Sequence, residues 1–469
     1  MDRPSSLTCL DTLLRGVERR YRLPDLPPDS GGGPRGDTAT ALALAIERVR
    51  QEIARGAIPD AARQRQFVAL LQQLIRDAMR AEQGDPVFQA MVLRHAAPQV
   101  REYASLSAHA GQYRRAVHGA VNTIAHPAKQ QRMPPGRLRD ALARLHGAAS
   151  AAAWTALADA AHGILAMPEL AAEPAIAQGL ERLLAEPALG RLQRLDALAS
   201  DALARQYQSL WDRNGPRPGS DTAAMQGSAS RRRGAAVEAL AARALEAVAR
   251  RLDGLDGTGR PYRVVTSMRV PAAIPGEAAR AKTEWDAVLL RRAGADDAGA
   301  AWDVCLLVEA KASADAAGTD LPRLLRGLRL LAHAAPETVY SFETRQGVVR
   351  LRGASLAGLP DDAAGLAATV LYCCDAPVEA APRLLSAASR MQLLSAPASL
   401  AFASGLAAGR QGDEAELEPV WTDLLQSPRW RAVLNQYPAL RQARELMVHP
   451  DDLMRAAAMF RTGAENEPP

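Results

Sequence analysis

Three charged residues sit where apolar strand text leads a reader to expect none. Residues 304–308 read Val-Cys-Leu-Leu-Val, and the next three are Glu309, Ala310 and Lys311. Side chains two apart on a strand project from one face, so a carboxylate and an ammonium would emerge together at the end of a buried strand. Burying them is costly unless they are paired or have a task. A second apolar run, Glu284-Trp-Asp-Ala-Val-Leu-Leu290, carries Asp286 in the same awkward way. If the two strands form a hairpin, Asp286 lies beside Glu309. Two carboxylates at close range repel each other and favour a divalent cation between them. Oxygen ligands with open positions suit Mg²⁺ or Mn²⁺. The plainer reading is a salt-bridged strand end, since a Glu-x-Lys triplet occurs in most long proteins.

Lysine itself is a signal here. The chain has 57 Lys and Arg, yet only Lys129, Lys282 and Lys311 are lysine. Codon usage that drifts toward arginine would spare lysine where a compact ammonium is needed, so each survivor merits attention.

The elements that must position these residues can be read from periodicity. A helix is expected from Gly234 to Arg251, then strands over Tyr262–Val270, Glu284–Leu290 and Trp302–Lys311. Tyr262, Val264, Thr266, Met268 and Val270 would share one face of the first strand. A helix over roughly Leu321–Ala335 and strands at Val339–Thr344, Val348–Leu351 and Thr369–Cys374 complete an α-β-β-β-α-β unit of about 140 residues.

This constellation resembles the PD-(D/E)XK nuclease superfamily, the fold of many restriction enzymes, resolvases and repair nucleases. The matching residues are Asp286 and the Glu309-Ala310-Lys311 triplet, with Glu238 in Gly-Ala-Ala-Val-Glu-Ala-Leu fitting the further glutamate of a preceding helix. The likeness covers residues of about 228–375. Trp285 stands where the family's proline would be, and Arg323, Arg326 and Arg329 stand where some members carry a glutamine. The resemblance implies a restriction-endonuclease-like domain that hydrolyses phosphodiesters, in DNA above all. Asp286, Glu309 and Glu238 would hold Mg²⁺ or Mn²⁺, and Lys311 would position water or stabilise developing charge. Glu238 on an amphipathic helix is equally readable as a solvated edge residue. The rival to an enzyme is a nuclease-fold module kept only to bind DNA or a protein.

The remaining text bounds the rest. With 469 residues, 48% hydrophobic and 23% charged, the chain is ordinary globular protein of two to four units. Five segments are expected: a helix and Pro/Gly linker over 1–37, an all-α domain over 38–211, a linker over 212–233, the α/β domain over 234–376 and a helical region over 377–469. The prolines at 59, 86, 127, 168, 174 and 187 fall between helices rather than inside them. A polar tail, Thr462–Pro469, closes the chain.

Net charge is +5, which fits a polyanion-binding protein. Residues 94–146 hold nine Lys and Arg against Glu102 and Asp140, with five histidines between them (His95, His109, His118, His126 and His146). They form either a phosphate-tracking face or a solvated helical one. Arg231, Arg232 and Arg233 either touch phosphate or begin a helix. The four cysteines have no zinc or disulfide spacing. Cys373-Cys374 reads as core, and Asp296 and Asp297 read as a turn. Gly31, Gly33 and Gly36 match a dinucleotide motif only formally, since no strand precedes them. No signal peptide or spanning helix is legible, so a cytoplasmic, membrane-free protein is expected.

Overall fold

The computed structural model describes residues 6–23, 37–216, 219–256, 261–294, 301–360 and 363–461. The Pro/Gly linker, the glycines at 31, 33 and 36, Asp296, Asp297 and the polar tail lie outside the described residues. The chain is mostly helical, with a seven-stranded mixed sheet in the middle. It forms two compact units, one drawn from Met1–Leu74, Pro218–Leu393 and Leu417–Pro469, the other from Ile75–Arg217 and Leu394–Glu416. The helices of 38–211 are thus divided between the two.

The second unit is helical. Pro86, Pro174 and Pro187 each stand in the first turn of a helix, where the missing N–H costs nothing. Asp85 caps one of them, its carboxylate accepting from Val87 N at 3.0 Å and Phe88 N at 3.1 Å. Leu142, Leu145, Trp154, Leu157, Leu180 and Leu192 fill its core with scarcely any aromatic help.

The first unit carries the sheet. Its strands are β1 (Tyr262–Arg269), β2 (Glu284–Arg292), β3 (Trp302–Lys311), β4 (Val339–Thr344), β5 (Gly347–Arg352), β6 (Val370–Cys374) and β7 (Met447–Val448). They run β2-β1-β4-β5-β3-β6-β7, and β3 also pairs with β2. β1, β2 and β3 form an antiparallel meander, and β6 adds to β3 in parallel. Two layers of helix cover the sheet. The helix Asp221–Asp256, with Ser6–Arg15 and Pro450–Met459, covers one face through Leu245, Val248, Leu10 and Leu453. The helix Ala314–Ala332 covers the other through Leu321, Leu324, Leu328 and Leu331.

Three expectations change. The segment 212–233, read as a linker, is helical over 212–214 and 221–233. Its Gly and Ser are tolerated at the exposed start of a 36-residue helix anchored further along by Val237, Ala241, Ala244 and Leu245. The region after Pro377 is not wholly helical, since Met447 and Val448 pair with β6. The run Tyr262, Val264, Thr266, Met268 and Val270 does not keep one face. Tyr262 and Val264 join the core beneath the long helix, whereas Met268 and Val270 join the opposite one. Left-handed backbone at Ser267 (φ 51°) breaks the alternation of two. A register shift between Leu289 and Leu290 leaves Cys305 as the extra residue of β3. Among the described residues no helix is long and apolar enough to cross a membrane.

Candidate functional site

The β2–β3 ladder ends at Ala287 opposite Val308. Beyond that pair the strands part, and β3 continues alone against β6, with Glu309 opposite Tyr372 and Lys311 opposite Cys374. The first backbone N–H of β3 freed toward β2 belongs to Ala310, and it donates to Asp286 Oδ2 at 2.8 Å. Asp286 therefore replaces the missing ladder bond and holds its carboxylate at the split. Glu309, the residue before Ala310 on β3, is fully buried.

Asp286, Glu309 and Lys311 meet there as expected, and two residues not singled out as site residues join them. Lys282 Nζ donates to Glu309 Oε1 at 2.6 Å, also touches Oε2, and lies 3.9 Å from Asp286 Oδ1. One ammonium thus spans both carboxylates, whose oxygens lie within the about 8 Å that one ion or a close metal pair can bridge. Lys311 Nζ sits 3.5 Å from Glu309 Oε2 and 3.1 Å from Asp320 Oδ2, with the Tyr372 ring beneath it. Tyr372 donates its hydroxyl to Asp320 at 3.3 Å. Glu309 Oε2 has no hydrogen bond, although both ammonium groups approach it.

Local sequence explains how Lys282 arrives. The loop between β1 and β2 turns through left-handed backbone at Arg280 (φ 59°). Two bonds fasten the loop to the helix Ala314–Ala332: Lys282 N donates to Arg323 O at 3.1 Å, and Arg326 Nε to Arg280 O at 2.9 Å. Gly327 lets the helix come close enough, since a Cβ there would stand 2.6 Å from Lys282 Cβ and 2.8 Å from its carbonyl oxygen. Arg323 and Arg326 on that helix thus serve the loop, one by its backbone and one by its side chain.

Electrostatics follow from burial. Loss of water pushes the Glu309 carboxyl up to about 8, and the neighbouring Asp286 carboxylate adds to that, against the pull of Lys282 and Lys311. Glu238 is raised by burial first and by Asp286 second. It belongs to the long helix on the other face of the sheet, and Arg345 is its ion-pair partner at 3.8 Å. It senses the cluster without completing it: among the described residues no three His, Cys, Asp or Glu side chains converge on one metal position.

The signal for Lys282 was in the sequence, because it is one of three lysines in an arginine-rich chain. Asp320 gave no such signal, since an acid in the first half of a helix is commonplace.

The other candidates take up local roles. Within 94–146, His126 accepts from Ala128 N at 3.2 Å, His109 bonds to Ser105 O at 3.0 Å, and His118 meets the edge of Trp154. Arg94, Arg101, Arg114, Arg115, Arg132, Arg137 and Arg144 are exposed. Arg233 pairs with Asp375 at 2.8 Å just past the end of β6, and Arg231 and Arg232 are exposed on the long helix. Cys373 and Cys374 are buried, and burial raises both thiols, that of Cys373 to about 12.

No protein-family model matches the chain, and no curated protein or solved structure is detectably similar to it.

Proposed function

We propose that this chain is a metal-dependent nuclease of the PD-(D/E)XK type, hydrolysing phosphodiesters in DNA. The observation that carries this reading is the meeting of Asp286, Glu309 and Lys311 at the split between β2 and β3. The order of the long helix, the β1–β3 meander, the helix Ala314–Ala332 and a strand parallel to β3 supports it.

The donors suit a hard divalent cation. Mg²⁺ is commonly held by one or two carboxylates, filling its shell with water and substrate phosphate oxygens. Asp286 and Glu309 supply two carboxylates, and Glu309 Oε2 is buried without a hydrogen bond. Such an ion would neutralise phosphate charge and acidify a water molecule. The side chains do the rest. Asp286 and Glu309 fix the place of charge. Lys311, held by Asp320, presents an ammonium toward the scissile phosphate and the charge that develops there. Glu238, on the helix that covers the other face of the sheet, would act on Asp286 through water.

The rival reading, a nuclease-fold module retained for binding alone, is favoured by Lys282, whose ammonium already lies against both carboxyl groups. A cleavage assay on DNA in Mg²⁺ and in Mn²⁺ separates the two, with Lys311→Ala as control. Metal-dependent cutting that Lys311→Ala loses is the expected result. A chain that binds DNA yet never cuts it would leave the binding module standing.

A further inference from the structure

We infer that Lys282 is a tethered counter-ion. In the metal-free chain its ammonium holds the position between Asp286 and Glu309 that a divalent cation takes on loading, so lysine and metal compete for one place. The inference rests on the metal-dependent reading above and adds to it a device that sets metal affinity.

The geometry is that of a bound cation. Nζ touches both oxygens of Glu309 and lies 3.9 Å from Asp286 Oδ1. Without it, the buried Glu309 and the half-buried Asp286 would face each other across the split with only Lys311 nearby, and Lys311 is shared with Asp320. The two lysines therefore differ in kind. Lys311 flanks the carboxylates from its own strand, whereas Lys282 stands between them.

Only the tip of Lys282 has to move. Its backbone is fastened by the bond to Arg323 O and by the close seat against Gly327. Its four-carbon stem is flexible, and an ammonium is a compact charge with no fixed directional fork. A cation carrying two charges outcompetes one carrying a single charge for the same pair of carboxylates, at the cost of displacing it. Metal affinity is consequently lower than the bare carboxylates would give.

Mn²⁺ binding to the full chain tests this, read from the free-ion electron paramagnetic resonance signal. Lys282→Met should bind Mn²⁺ about tenfold more tightly than wild type or better, an equilibrium effect of a removed competitor. Lys311→Met removes the same charge from beside the site and should tighten binding clearly less than Lys282→Met does. A general field effect would tighten both variants alike, and that outcome overturns the inference, as does Lys282→Met binding no tighter than wild type. In either case the metal-dependent reading survives. Absence of Mn²⁺ binding in wild type and both variants would overturn the two together.

If Lys282→Met does not fold, the wild-type chain carries the test. An amine-reactive label read by mass spectrometry has only three lysines to report. Labelling of Lys282 should rise at saturating Mn²⁺, and unchanged labelling overturns the inference.

Discussion

At the end of β3, Lys282, Asp286, Glu309, Lys311 and Asp320 crowd into bonding distance, largely out of water. On the helices of residues 94–146, arginines in similar number stand in solvent. The two regions hold charge under opposite conditions. In the first, each charge is tolerated because a specific partner is fixed against it, so position matters more than sign. In the second, water screens each guanidinium and only the total counts. A substitution in the cluster should therefore act through geometry, and a substitution on the helices through charge alone.

The largest expected effect is on chemistry. Lys311→Arg keeps the charge but widens it, so it breaks the cluster only if position matters. Cleavage should fall about 10²–10³-fold, roughly 3–4 kcal/mol of transition-state stabilisation, with the fold intact by circular dichroism. Equal rates for the variant and wild type would make Lys311 a mere ion-pair partner of Glu309 and Asp320.

The next effect is on pH dependence. Burial raises the Glu309 carboxyl to about 8 in the folded chain, against an ordinary value of 4.5. Between those values the folded state binds more protons than the unfolded one, so stability falls as pH rises through this window and levels off above it. The slope should approach about 1.4 kcal/mol per pH unit in metal-free buffer. Urea unfolding at several pH values measures it, and Glu309→Gln should flatten it. A slope unaltered in Glu309→Gln would place the titrating group elsewhere.

A smaller effect comes from packing. Gly327→Ala puts a methyl against the backbone and Cβ of Lys282. Stability should drop by about 1–3 kcal/mol, the usual cost of overpacking. Denaturant midpoints measure this. Mn²⁺ binding should tighten as well, because the loop carrying Lys282 is pushed away from the carboxylates.

The smallest effect belongs to the other region. Replacing Arg114, Arg115 and Arg137 by Ala should change stability by less than about 0.5 kcal/mol. If these side chains track phosphate, the plot of log affinity for DNA against log salt should flatten by about 0.9 for each phosphate that is no longer neutralised. An unchanged slope would leave the basic surface a solvated helical face. It would also sharpen the contrast, since the cluster alone would then carry function.

Some of this was legible from residue order. The limits of β3, Trp302 to Lys311, match those read around a five-residue apolar run too short for a buried helix. Asp286 beside Glu309 follows from treating β2 and β3 as a hairpin. The face of β1 is not legible, because a left-handed serine leaves no mark in a pattern of alternating apolar residues. The segment 212–233 misleads because Pro, Gly and Ser are local turn formers, whereas the helix from Asp221 is held by packing further along.

What the sequence determined by itself is the inventory: apolar strands too hydrophobic to be exposed, acids inside them, and three lysines in a chain of arginines. Periodicity and composition are local properties, and they suffice to say which residues are out of place. Only the tertiary structure decided who meets whom. Asp320 reaches Lys311 because the helix Ala314–Ala332 folds back over β3. Lys282 lies between two carboxylates because a glycine on that same helix admits its loop. Apart from Lys282 and Asp286, four positions apart, those encounters join residues nine to forty-five positions apart, and their energy depends on distance and burial, which no local pattern encodes.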